Sequence, residues 1–398
     1  MSFLLLGARE VAQLLPMPQA IEAMAQAMAA LSDGQGTVPA RIICPLPAGR
    51  GFLGVMPGVA GAPAAVGAKL GTILPDNPAV GRPAIQAVLA EQAGADSVWF
   101  PHDTFMRNTL ALTSAAAAMT QRVQLGGVAI SSYTTDPCEL ATYAATLDEI
   151  SGGRCILGVG MHTRLMTEWT GRDTGEYLQH TRESVRLIRE LLRGEVARGD
   201  GRLFRWTGEC YLRFRPPRAE IPIYVSSFGR ALRELSGEVG DGAQPMLTPP
   251  AAARQVVEDT ERGFDRTRRP RATFTISGCA WLSLSAERAA AADRMRNMVA
   301  YFGPYLEDEA LAHVGLTSAD FDPIRERLRA ADHKGARSLV TEDMLRLGLI
   351  GTPREVIRQI EELAAAGIDE VGLGGPLGPD PQAALQLLGR EVIPYFRS

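Results

Sequence analysis

Three short stretches of the 398-residue chain carry residue types that can do chemistry. In SSFGRALREL (226–235), Ser226, Ser227, Phe228, Gly229 and Arg230 open what reads as a helix. The free N–H groups of a first helical turn, together with a cation, suit an anion such as phosphate. In GVGMHTR (158–164), Gly158, Gly160, Met161 and His162 close an apolar run, and glycine there lets backbone approach a flat ligand. In VWFPHDTF (98–105), His102 and Asp103 stand side by side after another apolar run, where either could move a proton. Each stretch has a plain structural alternative. Glycine at a strand-to-helix join serves equally as a tight turn, Arg230 can face solvent, and a histidine beside proline is ordinarily a surface residue. Neither glycine stretch is a GxGxxG dinucleotide fingerprint. His180, His313 and His333 lie in helical, mixed-charge surroundings and read as structural or exposed.

The elements that must position these residues form a repeating pattern. From about residue 66 the chain alternates apolar strands and amphipathic helices with short glycine-marked joins: GAKLGTILP, then AVLAEQAGA and DSVWFP, NTLALTSAAAAMT and RVQLGGVAIS, CELATYAATLDEISGG and RCILGVG. The strands are apolar almost throughout, as expected when both faces of a parallel sheet are covered. In GTPREVIRQIEELAAAGIDEVGLGG, Thr352 is the expected N-cap, Pro353 the first helical residue and Glu355 the partner in a capping box. Val356, Ile360 and Leu363 share one face, and Gly367 can end the helix in the left-handed region. About eight strand–helix units, interrupted by a helical insertion at about 285–350, predict a TIM (β/α)8 barrel, whose chemistry sits at the carboxyl ends of the strands. Residues 1–65 break this rhythm. Two amphipathic helices (AREVAQLL, PQAIEAMAQAMAALSDG) and two strand candidates (RIICPLP, GFLGVMPGV) predict a small α+β appendage, suited to an oligomer contact or to capping the barrel.

Composition narrows the function classes. A formal charge of −4 and a pI near 5.9 leave no basic stripe for nucleic acid. Cys44, Cys138, Cys155, Cys210 and Cys279 are scattered, odd in number and never in a CxxC pair, which suggests neither a disulfide framework nor a zinc site. No stretch stays apolar long enough to span a bilayer, and the opening MSFLLLGARE lacks a basic segment ahead of its apolar run. The expectation is a cytoplasmic protein acting on a small molecule as a homodimer or higher homo-oligomer, with no membrane, nucleic-acid or metal partner.

DSVWFPHD, PCELATYAATLDEISGGRCILGVG, IPIYVSSFGRALRELSGEVGDG and GLIGTPREVIRQIEELAAAGIDEVGLGGPLGPDP, taken in order, resemble the bacterial-luciferase-like superfamily of flavin and deazaflavin oxidoreductases. The resemblance covers about residues 66–396, and VGLGGPLGPDPQAALQLLGREVIPYF is most similar to the methylenetetrahydromethanopterin reductase branch, which uses the deazaflavin coenzyme F420. It implies hydride transfer between F420 and a small organic substrate, such as a C=N or methylene-pterin-like carbon. The alternative within the same superfamily is a monooxygenase using flavin mononucleotide (FMN). The resemblance further implies that the trailing glycines of LDEISGGRCILGVG lie against the cofactor, with Gly158, Gly160 and Met161 at the ring. It implies a non-prolyl cis peptide between Ala129 and Ile130, forming with Ser131 a bulge behind the ring, and a phosphate site at Ser226, Ser227, Phe228, Gly229 and Arg230. The family usually carries Asp before His after the second strand. Here His102 precedes Asp103, so either is the proton donor or substrate orienter, with His162 as the competing candidate.

Residues 3–88, including TVPARIICPLP, GFLGVMPGV and AVGAKLGTILPDNPAVGRP, resemble the N-terminal part of the ornithine cyclodeaminase and mu-crystallin family. By that resemblance Arg41 would hold a substrate carboxylate and Lys69 the catalytic position. No glycine-rich Rossmann fingerprint follows, so the expectation is a chimera whose borrowed piece binds a partner subunit or a small anion. A non-catalytic, carboxylate-binding protein is the third reading. The two resemblances overlap at 66–88, where GAKLGTILP can be the appendage's last strand or the first strand of the barrel.

Overall fold

The computed structural model describes residues 36–37, 42–45, 52–61, 64–73, 87–102, 107–160 and 169–397. Contacts divide the chain into two units, Met1–Ala84 and Ile85–Ser398.

In the first unit, β1 (Gly36–Thr37), β2 (Ile42–Pro45), β3 (Phe52–Gly61) and β4 (Ala64–Ile73) form an antiparallel sheet centred on β3. RIICPLP and GFLGVMPGV thus supply strands. The segment GAKLGTILP, which could have opened the barrel, lies mostly in β4, whose ten residues all pair with β3, from Phe52↔Ile73 to Gly61↔Ala64. The boundary expected at 65/66 falls inside this pairing. Lys69 stands opposite Met56. The two expected N-terminal helices and Arg41 lie outside the described residues.

The second unit begins with α1 (Ala87–Ala93) and β5 (Ser97–Pro101), followed by α2 (Thr109–Met119), β6 (Gln124–Ser131), α3 (Pro137–Ser151) and β7 (Cys155–Gly160). It continues through α4 (Tyr177–Leu192), β8 (Ile223–Ser227), α5 (Gly229–Val239), β9 (Gly242–Pro245), α6 (Pro250–Phe264) and β10 (Thr275–Leu284). Five helices fill the expected insertion: α7 (Arg288–Phe302), α8 (Asp308–Ala312), α9 (Asp322–Arg329), α10 (His333–Ser338) and α11 (Glu342–Leu345). The chain closes with β11 (Gly348–Gly351), α12 (Pro353–Ala365), β12 (Glu370–Leu377) and α13 (Pro381–Leu387). Strands β5 to β10 pair in parallel in sequence order, and β10 also pairs in parallel with β11 and β12. This is a curled parallel sheet wrapped by helices, the half-closed form of the expected barrel. Among the described residues no pairing joins β12 to β5, and most of GAKLGTILP pairs with β3.

Local chemistry sets the joins. Gly152 and Gly153 at the end of α3 have φ of +69° and +89°, which a residue with a side chain rarely adopts, and they turn the helix into β7. Thr352 and Glu355 close the expected capping box at 2.8 and 2.9 Å, Val356, Ile360 and Leu363 are buried, and Gly367 has φ +103°.

The inner face of the sheet is filled in layers. Trp99 on β5 meets Tyr224 on β8 across the interior, ring centroids 5.6 Å apart. A Cβ on Gly126 or Gly242 would collide with one of these rings (Trp99 or Tyr224), and one on Gly158 would lie 3.2 Å from Trp99 and clash with the Gly127 carbonyl. Those glycines are therefore required by packing. Outside the sheet, Leu125, Leu157, Ile223, Val225, Leu140, Leu147 and Ile188 form one apolar core, and Ile276, Leu282, Leu349, Val356 and Leu363 another. The insertion has its own, built on Met295, Val299, Leu311 and Phe321.

Candidate active site

Strand alternation carries the lower layer upward: two residues beyond Tyr224, Gly158 and Gly242 come Ser226, Gly160 and Gln244, facing the same way. The Ser226 hydroxyl donates to Gln244 Oε1 at 3.1 Å, and a Cβ on Gly160 would lie 2.9 Å from that of Ser226 and 3.0 Å from that of Ala129. Ala129, Gly160, Ser226 and Gln244 thus form one layer, small except for Gln244, at the carboxyl ends of β6 to β9. Gly158 belongs to the layer below, against Trp99 and not at the strand ends where the cofactor contact was expected.

β6 carries the expected bulge. It pairs with β7 at Gly127↔Leu157 and then at Ile130↔Val159, so β6 holds one extra residue in between. The peptide from Ala129 to Ile130 is trans, contrary to the expectation; Gly375–Pro376 is the cis bond among the described residues. The register shift alone makes room for the extra residue. The backbone N–H of His102 donates to Val128 O at 2.6 Å, which sets His102 beside this bulge. Asp103, Met161 and His162 lie outside the described residues, so the choice among His102, Asp103 and His162 is not made by geometry.

The third element is the start of α5. Phe228 is its N-cap without a side-chain cap, Gly229 has φ +73°, and Ser227, 1% exposed, holds a hydroxyl with no hydrogen-bond partner. Uncapped N–H groups and an orphaned hydroxyl favour an anion. Arg230 is not a free cation: its Nε lies 3.0 Å from Glu234, and its side chain is 63% exposed. Bonds from Arg266, Arg230 and Arg262 hold the Glu234 carboxyl down to about 2. Behind this end, buried Arg233 pairs with Asp259 at 2.8 Å and with Glu309 of the insertion at 2.5 Å.

Gln244 escaped sequence reasoning. Its signal was an amide in a four-residue buried strand, GAQP, where an apolar residue is the norm. His180, read as structural, is half-buried behind the bulge. It stacks on Tyr133 with centroids 3.8 Å apart, its Nδ1 is 2.9 Å from Ser132 Oγ, and burial pushes its pKa down to about 4. A cavity of about 720 Å³ lies elsewhere, lined by Cys138, Leu191, Trp206, Cys210, Tyr211 and Phe214 among others. It opens between α3, α4 and the 205–214 segment, away from the strand ends, so its size does not make it the site. No helix among the described residues is long and apolar enough to cross a membrane.

The bulge in β6, the packed layer of Ala129, Gly160, Ser226 and Gln244 and the uncapped start of α5 thus meet at the carboxyl ends of the parallel strands. The model of the luciferase-like monooxygenase family matches residues 62–370, and the chain belongs to that family; it is an oxidoreductase of the luciferase-like type. It is 32% identical to a 5,10-methylenetetrahydromethanopterin reductase of Archaeoglobus fulgidus, over 78% of this chain and 94% of the relative. It is 29% identical to an F420-dependent glucose-6-phosphate dehydrogenase of Amycolatopsis mediterranei, over 78% and 93%. The solved F420-dependent tetrahydromethanopterin reductase of Methanopyrus kandleri superposes with a TM-score of 0.73 at 26% identity, over 77% of this chain and 93% of that one.

Proposed function

We propose that this enzyme transfers hydride between coenzyme F420 and a small organic substrate at an electrophilic carbon of the C=N or methylene-pterin type. The observation that carries the reading is a pair of buried, unpartnered polar atoms, Ser227 Oγ and Gln244 Nε2, in a chain whose matched relatives include an F420-dependent enzyme and a methylenetetrahydromethanopterin reductase. Bound there, the deazaflavin supplies a two-electron hydride carrier. The chain's own work is geometric. The bulge at Ala129, Ile130 and Ser131 and the flat wall at Gly160 support the ring. Ser227, Phe228 and Gly229 present donors to its phosphate, Ser226 belongs to the same cofactor contact through its bond to Gln244, and Arg230 contributes at the rim once it leaves Glu234. Met161 belongs to the same ring contact. His102 or Asp103, with His162 as the competitor, orients the substrate or supplies a proton. Holding the two carbons in reacting geometry, with water kept out, supplies most of the rate.

The enzyme works in this reading as a cytoplasmic homo-oligomer, with the first unit, Met1–Ala84, as an appendage that contacts a partner subunit or takes a small anion through Arg41 and Lys69. Titration of the purified protein with F420 and with FMN, followed by absorbance and fluorescence, tests the cofactor. Saturable F420 binding with oxidation of the reduced form by an iminium-type substrate is expected. Retained FMN with oxygen consumption would replace the proposal by the monooxygenase reading; neither, with a small carboxylate still bound through Arg41, would favour a non-catalytic protein.

A further inference from the structure

Gln244 is fully buried, its Oε1 accepts from the Ser226 hydroxyl at 3.1 Å, and its Nε2 has no partner. With the Ser226 hydroxyl donating to Oε1, the NH2 group is the end of the amide left without a partner. A buried amide donor left unpaired destabilises the fold. Leucine, of similar volume, would fill the same space at no such cost. A polar group that destabilises the empty protein while its other end is bonded to a neighbour implies a partner that arrives with a ligand. The wall beside it is suited to a flat one, since Gly160 and Ala129 are the residues next along this layer.

We infer that Gln244 is a cofactor-binding residue whose NH2 donates to a carbonyl oxygen on the inserted edge of the bound ring, with Ser226 as its positioning residue. This rests on the proposal that the carboxyl ends of the strands hold a tricyclic cofactor. It adds a residue that reads the edge of the ring, whereas the bulge supports its face and the start of α5 takes its phosphate.

The role gives Gln244→Leu two effects of opposite sign. Without cofactor, the variant melts at the same temperature as the wild type or higher, because the orphaned donor is gone. With cofactor, its dissociation constant for F420, read by fluorescence titration, rises about tenfold or more, the equivalent of about 1.4 kcal/mol. Ser226→Ala, which releases the amide without removing it, weakens F420 by a smaller factor and decides the matter should the leucine variant fail to fold. An unchanged F420 affinity in either folded variant overturns the inference, most plainly if Gln244→Leu also melts lower, the signature of a purely structural amide. Wild-type protein that binds neither F420 nor FMN removes the proposed function and this inference with it. Wild-type binding with unchanged variant affinity removes the inference alone.

Discussion

The two ends of the barrel treat their polar groups in opposite ways. At the amino-terminal end, Asp148, fully buried, accepts from Arg218 at 2.6 and 2.9 Å and from the Cys155 N–H at 3.2 Å. Arg154 donates to the carbonyls of Ala117, Thr120, Val123 and Ser151, and Glu91 takes the N–H groups of Gln121, Arg122 and Val123. At the carboxyl end, Ser227 and Gln244 keep buried polar atoms unpartnered and α5 starts without a side-chain cap. One end is a scaffold whose groups satisfy one another; the other holds buried polar atoms that the chain itself leaves unpartnered.

The contrast is open to test, beginning where the effect is largest. Asp148→Ala leaves the Arg218 guanidinium without its carboxylate and the Cys155 N–H without an acceptor. It should cost about 2–4 kcal/mol in denaturant unfolding, from the lost charged bonds to a partly exposed guanidinium and the buried Cys155 N–H left without an acceptor, while the folded fraction binds F420 normally. His180 comes next. Burial lowers its folded pKa from 6.5 to about 4, so the unfolded chain binds the extra proton first. Stability from the neutral imidazole is whole above pH 6.5 and drains away as pH falls toward 4. Replacing His180 with Gln should flatten the unfolding free energy across that window.

Glu370 is the exception at the scaffold end. Burial raises its carboxyl above 4.5, although Ser277 hydrogen-bonds to it. A raised acid stabilises the fold below its unfolded pKa, and that contribution is lost as pH rises through the folded value. Glu370→Gln should therefore gain up to about 1 kcal/mol at neutral pH and level the pH profile above 4.5; a loss of stability at pH 7 would mean that the Ser277 bond outweighs the cost of burying the charge. Smallest is Ser227→Ala, which removes an orphaned hydroxyl and should shift stability by less than about 0.5 kcal/mol while weakening F420. A large destabilisation would contradict the contrast between the two ends.

How much of this was legible depended on how local the cause is. The capping box at Thr352 and Glu355, the left-handed glycines 152, 153 and 367, and the apolar strands are written within a few residues, and each could be read from the chain. Gly158 could be read as glycine, but the Gly127 carbonyl that excludes a Cβ there sits on the neighbouring strand, outside the stretch in which it was read. Asp148 sits inside the quoted LDEISGGRC stretch, yet its partner Arg218 is far along the chain. GAKLGTILP is equally a barrel strand and an appendage strand by pattern, and only its pairing with β3 decides. The bulge in β6 was expected from resemblance with a cis peptide, and the structure forms it by register alone. Gln244 was invisible because its meaning lies in a missing partner, which a sequence cannot display.

A crystal structure of the protein with coenzyme F420 tests the central claim most directly. The account predicts the ring at the carboxyl ends of β6 to β9, against the 129–131 bulge, with its phosphate at Ser227 and Gly229. A ring seated in the cavity beside Trp206 and Tyr211, with the strand ends empty, would contradict it.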